Sequence, residues 1–277
     1  MRDLAEFRPH KSKGQNFLTQ PRIADRIAAA AELESSDDVV EIGPGLGILS
    51  DAIIRCNVRS LTMIELDTRL AAALQDRMRD RSAVKVINAD FLDLRGLPFH
   101  GPLKVVANLP FNVASAILER LCAERALITL MVLMFQREVA QRIRACPGDS
   151  AYGALSAYTA LYWNVTDHFR VAAGNFNPQP KVDAEVLVFA PHRPALFEAA
   201  EEQAILRTIR AAFTQPRKTL RNSLAGGLGS SPASAELMLE RAAIDPAARP
   251  ATLNLDDFLR LARLLASKSA ATDASHA

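Results

Sequence analysis

Between residues 38 and 135 the chain alternates short, β-branched apolar runs with segments whose apolar residues recur every three or four positions. That alternation predicts strand–helix–strand units and a mainly parallel sheet. A strand covered on both faces reads as a continuous apolar run, whereas a crossover helix keeps one polar side. The predicted strands are Val39-Ile42, Leu61-Glu65, Val84-Ile87, Leu103-Ala107 and Leu127-Phe135. Helical spacing or composition covers Leu46-Arg55, Thr68-Asp80 and Val113-Arg120, and Ile23-Leu33 precedes the first strand with Pro21 near its start. Helices are therefore expected on both faces of the sheet. Trp163-Val171 and Glu185-Phe189 read as two further strands flanking the Pro-containing loop Asn175-Phe176-Asn177-Pro178-Gln179-Pro180, a hairpin-like end to the sheet.

After Pro191 and Pro194 the pattern becomes helical only: Leu196-Phe213, Leu220-Leu224, Ser234-Ala243 and Leu255-Leu265. The expected organisation is an α/β domain over 1–190, a smaller all-α domain over 191–268 and a small, polar, disordered tail over 269–277. With 277 residues, 49% of them hydrophobic, both domains can bury conventional cores.

A formal charge of +2 conceals uneven placement. Residues 203–235 hold Arg207, Arg210, Arg217, Lys218 and Arg221 and no acid, and Arg8, Lys11, Lys13, Arg22 and Arg26 form a second cluster diluted by Asp3, Glu6 and Asp25. Two such clusters on a near-neutral chain point to a polyanionic partner, although a solvated helix face would explain either one alone. Cys56, Cys122 and Cys146 are far apart and the five histidines have no ligand-like spacing, so neither a disulfide framework nor a metal site is expected. The polar start Met1-Arg2-Asp3-Leu4-Ala5-Glu6 is no secretory signal, and the most apolar run, Leu127 to Phe135, is about half the length a bilayer requires. A cytoplasmic protein outside membranes is the expectation.

Candidate chemistry gathers at the predicted strand ends. Val39-Val40-Glu41-Ile42-Gly43-Pro44-Gly45-Leu46-Gly47 is a strand entering a glycine-rich turn and then a helix, a geometry that brings backbone close to a ligand. Its G-x-G-x-G spacing is not the dinucleotide fingerprint, and Glu41 would oppose a pyrophosphate but could meet a cation. Glu65 ends the second strand, where an acid can accept from ribose hydroxyls. Asp90 follows the third, where a carboxylate can accept from an adenine amino group. Asn108-Leu109-Pro110-Phe111 ends the fourth. Asn offers an acceptor, Pro lacks a donor and stiffens the turn, and Phe offers a stacking face, so the tetrad suits a planar amine; the same four residues would also serve as a capped strand-to-helix turn.

These strand-end residues resemble the class I S-adenosyl-L-methionine-dependent methyltransferases, and Asn-Leu-Pro-Phe is similar to the motif of members that methylate planar amino nitrogens. Lys13-Gly14-Gln15-Asn16-Phe17-Leu18, Phe135-Gln136-Arg137-Glu138-Val139-Ala140, Phe176-Asn177-Pro178-Gln179-Pro180-Lys181-Val182-Asp183 and Phe213-Thr214-Gln215-Pro216-Arg217-Lys218-Thr219-Leu220-Arg221-Asn222 extend the likeness nearly end to end. Together they resemble the rRNA adenine N6,N6-dimethyltransferase family, and within it the bacterial small-subunit type. Phe111 stands where Tyr is common, Asn177 and Gln179 replace bulkier or proline residues, and Ala184 follows Asp183 where Ser is common.

The resemblance implies S-adenosyl-L-methionine as methyl donor, bound by Asn16, Leu18, Gly43, Glu65, Asp90 and Asn108, with no metal. It implies Asn108, Leu109, Pro110 and Phe111 as the catalytic tetrad and Phe111 and Phe176 as rings that stack the target base. It implies RNA contacts from Lys11, Lys13, Lys181, Arg217, Lys218 and Arg221. The implied reaction is dimethylation of two adjacent adenosines near the 3′ end of small-subunit rRNA by a monomer acting on the immature small subunit. Two other readings stay open at this point: a large-subunit rRNA methyltransferase of the macrolide-resistance type, and a non-enzymatic assembly checkpoint factor.

Overall fold

The computed structural model describes residues 15–96 and 101–274, so Lys11 and Lys13 lie outside the described residues. Strand β1 (Phe17–Leu18) and helix α1 (Pro21–Ala30) precede β2 (Asp38–Ile42), α2 (Ile48–Arg55), β3 (Ser60–Glu65), α3 (Thr68–Arg77), β4 (Val84–Asn88), β5 (Leu103–Asn108), α4 (Ala114–Ala123) and β6 (Ile128–Gln136). Then come α5 (Arg137–Arg144), α6 (Ala154–Tyr162), β7 (Trp163–Val171), β8 (Phe176–Asn177) and β9 (Ala184–Pro191). The chain ends in helices alone: α7 (Glu202–Ala212), α8 (Leu220–Leu228), α9 (Pro232–Arg241) and α10 (Leu255–Ala274).

Each apolar run predicted as a strand is one. Seven strands form a sheet in the order β4-β3-β2-β5-β6-β9-β7, with β2, β3, β4, β5 and β6 parallel and β9 antiparallel to β6. Val39, Val40, Met63, Val105, Val106, Met131 and Val132 are all completely buried, which is why those runs show no polar alternation. The chain leaves β2 toward β3 and β4, returns to β5, and proceeds outward again to β6. Right-handed crossovers in opposite directions place α2 and α3 on one face and α4 on the other. The order reverses between β2 and β5, and this reversal opens a crevice beyond their carboxyl ends.

Two short strands have no counterpart in the sequence-based reading. β1 and β8 pair antiparallel, Phe17 opposite Asn177 and Leu18 opposite Phe176, as a separate two-stranded sheet. Each is too short to leave a periodic signal, and the pairing exists only because distant segments meet.

The chain forms two compact units. One unit takes the residues up to Ala140 with Asn164–Pro191; the other takes Gln141–Trp163 with the chain from His192 onward. The boundary near 191 is present, but residues 141–163 belong with the helices rather than with the sheet. Gly148 N–H donates to Ala251 O at 2.8 Å, Tyr152 Oη donates to Leu253 O at 2.9 Å, and Tyr162 Oη donates to Glu202 Oε1 at 2.7 Å. Helix α6 carries no charged residue and so lacks the marked polar face that would reveal it. The tail expected to be structureless from 269 is instead helical through Ala274, as the end of α10.

Within the second unit α7 and α8 pack backbone to backbone. A Cβ added at Gly227 would lie 2.5 Å from Ala211 Cα and 2.7 Å from its carbonyl oxygen. Ser223 Oγ ties the same pair, donating to Ala212 O at 2.6 Å and accepting Gln215 N–H at 3.0 Å. Gly227→Ala therefore has to push two helices apart. It is expected to destabilise the helical unit by about 1–3 kcal/mol, read as a lower urea midpoint at unchanged cofactor affinity.

Candidate active site

The crevice at the strand-order reversal is walled by the ends of β2, β3, β4 and β5 together with β1. Asn16, Leu18, Gly43, Glu65, Asp90, Asn108, Leu109 and Pro110, all named from the sequence, line this one cleft. Gly45, at φ +57°, lies directly under the ring of Phe17: an added Cβ would come within 2.9 Å of Phe17 Cδ1. The glycine turn and β1 are thus in close contact, and only a residue without a side chain fits there. Gly43 lies on the other side of the turn against the tetrad, where a Cβ would stand 3.6 Å from Pro110 Cδ and 4.0 Å from Asn108 O.

Glu65 is 5% exposed, and its carboxylate joins two segments of the cleft. Oε2 accepts the Gly45 N–H at 3.0 Å and Oε1 accepts the Asp67 N–H at 2.8 Å. Hydrogen bonds to a charged group contribute about 1.5–3 kcal/mol each, which offsets part of the cost of burying the carboxylate and fixes its orientation. Asp90 Oδ1 accepts the Leu92 N–H at 2.9 Å, capping the one-turn helix Phe91–Asp93 and holding that carboxyl at the end of β4.

Among the described residues that line the cleft, none is Lys, Arg or His, while Glu41, Glu65 and Asp90 are acidic. A wall made of acceptors repels phosphate and suits a ligand carrying hydroxyl, amino and cationic groups. Adenosine bearing an ammonium side chain and a sulfonium fits that donor set. Among the described residues no group of three or more His, Cys, Asp or Glu side chains is arranged to hold a metal ion.

Asn108 ends β5 with its side chain half-buried, and its Nδ2 donates to the Asn16 carbonyl at 3.3 Å. That contact assigns the amide nitrogen to the protein and leaves Oδ1 as an acceptor. Pro110 O accepts the Val113 N–H at 3.1 Å and so is engaged within its own turn. Phe111 is half-buried. Phe176, at 4% exposure, is part of the apolar core and meets Phe111 edge-on, ring centroids 6.3 Å apart at 64°. Of the two rings expected to stack the base, Phe176 buttresses Phe111, and Phe111 is the one nearer solvent.

The expected RNA contacts separate into different settings. Lys181 is exposed on the first unit, and Arg217 and Lys218 are exposed on the turn before α8 in the second. Arg221 differs from them. Its Nη1 lies 3.2 Å from Glu236 Oε2, the first acid after the basic stretch, so its charge is partnered on the α8–α9 surface.

Several cleft residues were not singled out by sequence. Leu66, 50% exposed, and Asn112 line the cleft beside Glu65 and the tetrad. Arg77 reaches back from α3 to the carbonyls of Leu46 and Gly47 at 3.2 and 3.3 Å, steadying the glycine turn from below. Nothing in the local pattern marks these residues; an arginine at a helix end reads as a solvated charge.

Glu41 carries the strongest electrostatic anomaly. It is 1% exposed, lines the cleft, and its Oε2 has no hydrogen-bond partner. Burial pushes its carboxyl up to about 8; Asp51 and Glu65 add to the effect, while the nearby Ser50 hydroxyl and Arg77 offset only part of it. The folded protein thus holds a proton that the unfolded chain releases above the ordinary carboxylate range. Stability is full below about pH 4.5 and falls as pH rises toward about 8, at up to about 1.4 kcal/mol per pH unit inside that window. Glu41→Gln is expected to remove this slope. Urea unfolding of the ligand-free protein at several pH values between 5 and 8 should show the variant gaining on the parent as pH increases.

The ancestry of this arrangement is apparent from known proteins. The profile of the family described as Ribosomal RNA adenine dimethylase matches residues 6–267. The Ribosomal RNA small subunit methyltransferase A of Syntrophotalea carbinolica is 42% identical over 93% of this chain and 97% of its own, and that of Pseudomonas putida is 36% identical over 98% and 100%. Among solved structures, a dimethyladenosine transferase from Plasmodium falciparum superposes with a TM-score of 0.78 at 26% identity, covering 91% of this chain and 98% of that one. The 23S rRNA methyltransferase ErmE gives 0.69 at 29% identity over 91% and 100%. Because the matched residues take in both the sheet and the helical unit, and not only the cofactor-type cleft that many enzymes share, the chain belongs to the ribosomal RNA adenine dimethylase family.

Proposed function

We propose that this protein transfers methyl groups to N6 of two adjacent adenosines in the 3′-terminal hairpin of small-subunit rRNA, acting as a cytoplasmic monomer on the immature small subunit. The observation that carries the reading is the continuity of the two sites: Gly43 of the acceptor-lined cleft packs against Pro110 and Asn108 of the tetrad, so a donor in one is adjacent to an amine held by the other. Relatives named for the small subunit, at 42% and 36% identity, favour that target over the large-subunit RNA named for ErmE. Among the described residues no helix is long and apolar enough to cross a membrane, in keeping with a partner in the cytoplasm.

S-adenosyl-L-methionine, held by Asn16, Leu18, Gly43, Glu65, Asp90 and Asn108, supplies an electrophilic methyl. The protein's own residues prepare the nucleophile. Adenine N6 is weak because its lone pair is delocalised into the ring. Asn108 Oδ1 and Leu109 O accept its two protons, which favours a pyramidal nitrogen and points the lone pair at the methyl. Pro110 contributes by lacking an N–H that would compete for the acceptor side, and Phe111 offers the face on which a flipped base stacks, steadied by Phe176. Alignment of two bound reactants can lower the barrier by roughly 7–11 kcal/mol at best, so no strong base is required. The proton released by the methylated amine passes to solvent. Lys181, Arg217 and Lys218, with Lys11 and Lys13, bind the phosphate backbone.

The decisive assay incubates the purified protein with labelled donor and undermethylated small subunits and maps the modified adenosines. Label appearing in large-subunit RNA or in protein would sink the reading. Asn108→Ala is expected to lower kcat about 10²-fold or more, since an acceptor aimed at the reacting nitrogen is lost, and to weaken donor binding as well, since Asn108 lines the donor cleft. Phe111→Tyr retains activity and Phe111→Ala loses it chiefly through KM for the subunit. Glu65→Ala abolishes methylation while subunit binding persists; full activity of that variant would refute the donor site.

A further inference from the structure

One carboxylate outside the cleft closes the loop that touches both halves of the site. Asp183, just before β9, accepts the Ala173 N–H on Oδ1 at 2.9 Å and the Arg170 Nε–H on Oδ2 at 2.7 Å, with Arg170 Nη2 on the same oxygen. Its backbone carbonyl accepts the Arg137 N–H at 2.9 Å at the start of α5. The Ala173 N–H foremost, and Arg170 after it, keep this carboxyl below its ordinary range, as a group that accepts in its charged form should be.

From the loop so closed, contacts run in two directions. Toward the donor wall, Phe176 pairs with Leu18, and Thr19 donates both its N–H and its hydroxyl to Asn175 O, at 2.8 and 3.0 Å. Toward the base site, the Phe176 ring packs on Phe111. Asn108 Nδ2 on Asn16 O completes the circuit by joining the tetrad to the donor wall. Shifting the loop would therefore shift both sites. Asp183 itself is not among the residues that line the cleft.

We propose that Asp183 is a positioning residue: by closing the loop it sets β8, and through β8 it holds the donor wall at Asn16–Leu18 and the ring at Phe111 together, so that donor and target base bind cooperatively. The inference rests on reading the cleft as the donor site and the tetrad as the base site. Its physical basis is that an ordered loop spares each ligand the entropy of arranging it, and the first ligand bound spares the second.

The test uses the full chain and labelled S-adenosyl-L-homocysteine, its binding measured by equilibrium dialysis with and without undermethylated small subunits, beside kcat and KM for methyl transfer. The parent protein should bind the probe about 5-fold or more tightly when subunits are present. Asp183→Ala should weaken probe binding about 10-fold, a coupling of ordinary allosteric size, and abolish that cooperativity. Asp183→Asn, which keeps an oxygen for the Ala173 N–H, should restore much of both. Thr19→Val removes one link at an exposed position and should reduce cooperativity with an unchanged melting temperature. A folded Asp183→Ala with parental probe affinity and cooperativity overturns the proposal, as does absence of cooperativity in the parent. Should Asp183→Ala fail to fold, parental cooperativity in Thr19→Val overturns it instead. Failure of the parent to methylate small-subunit RNA would refute the functional reading itself, whereas methylation that persists without cooperativity refutes only the role of Asp183.

Discussion

The Glu65 carboxylate, buried at the end of β3 and held by the N–H groups of Gly45 and Asp67, is the constraint on which the rest of the site depends. Burying a charge is costly, and here two short backbone bonds offset that cost while joining the glycine turn after β2 to the turn after β3. The glycine turn cannot move without breaking one of those bonds. The cleft's geometry therefore follows from one acid's need for partners, and Arg77 below and Phe17 above press on the same turn.

A second constraint is the polarity of that wall. Open α/β sheets bind ligands where the strand order reverses, and many place a phosphate there on helix amides. Here Glu65 and Asp90 occupy that edge beside the buried Glu41, and among the described residues that line the cleft none is Lys, Arg or His. The same fold is thereby directed to a ligand of opposite electrostatic character. In the proposed reaction the catalytic demand is correspondingly light: the tetrad would offer acceptors and a ring, and positioning the remainder.

The elements legible in the sequence were those whose pattern is local. β2, β3, β5 and β6 appear as apolar runs because both of their faces are covered, while β4 at the sheet edge alternates, and the acids at the strand ends are conspicuous because they interrupt those runs. What escaped was non-local or patternless: β1 and β8 are two residues each and exist only as a pair, α6 has no charged residue to mark a polar face, and Arg77 acts through carbonyls far from it in the chain. The surroundings of two side chains were equally invisible: Glu236 on the next helix lies beside Arg221, and Phe176 is buried against Phe111.

By itself the sequence determined the α/β class, the strands and their order along the chain, the glycine turn, and the identity of the acids and the tetrad at the carboxyl edge, because hydrophobic period and turn chemistry are written in neighbouring residues. Only the tertiary structure decided the strand order in space, the return of residues 141–163 to the helical unit, the orientation of the Asn108 amide, and the circuit from Asp183 through β8 to both halves of the site. Those features are contacts between segments tens of residues apart, and a contact of that kind leaves no mark on either segment alone.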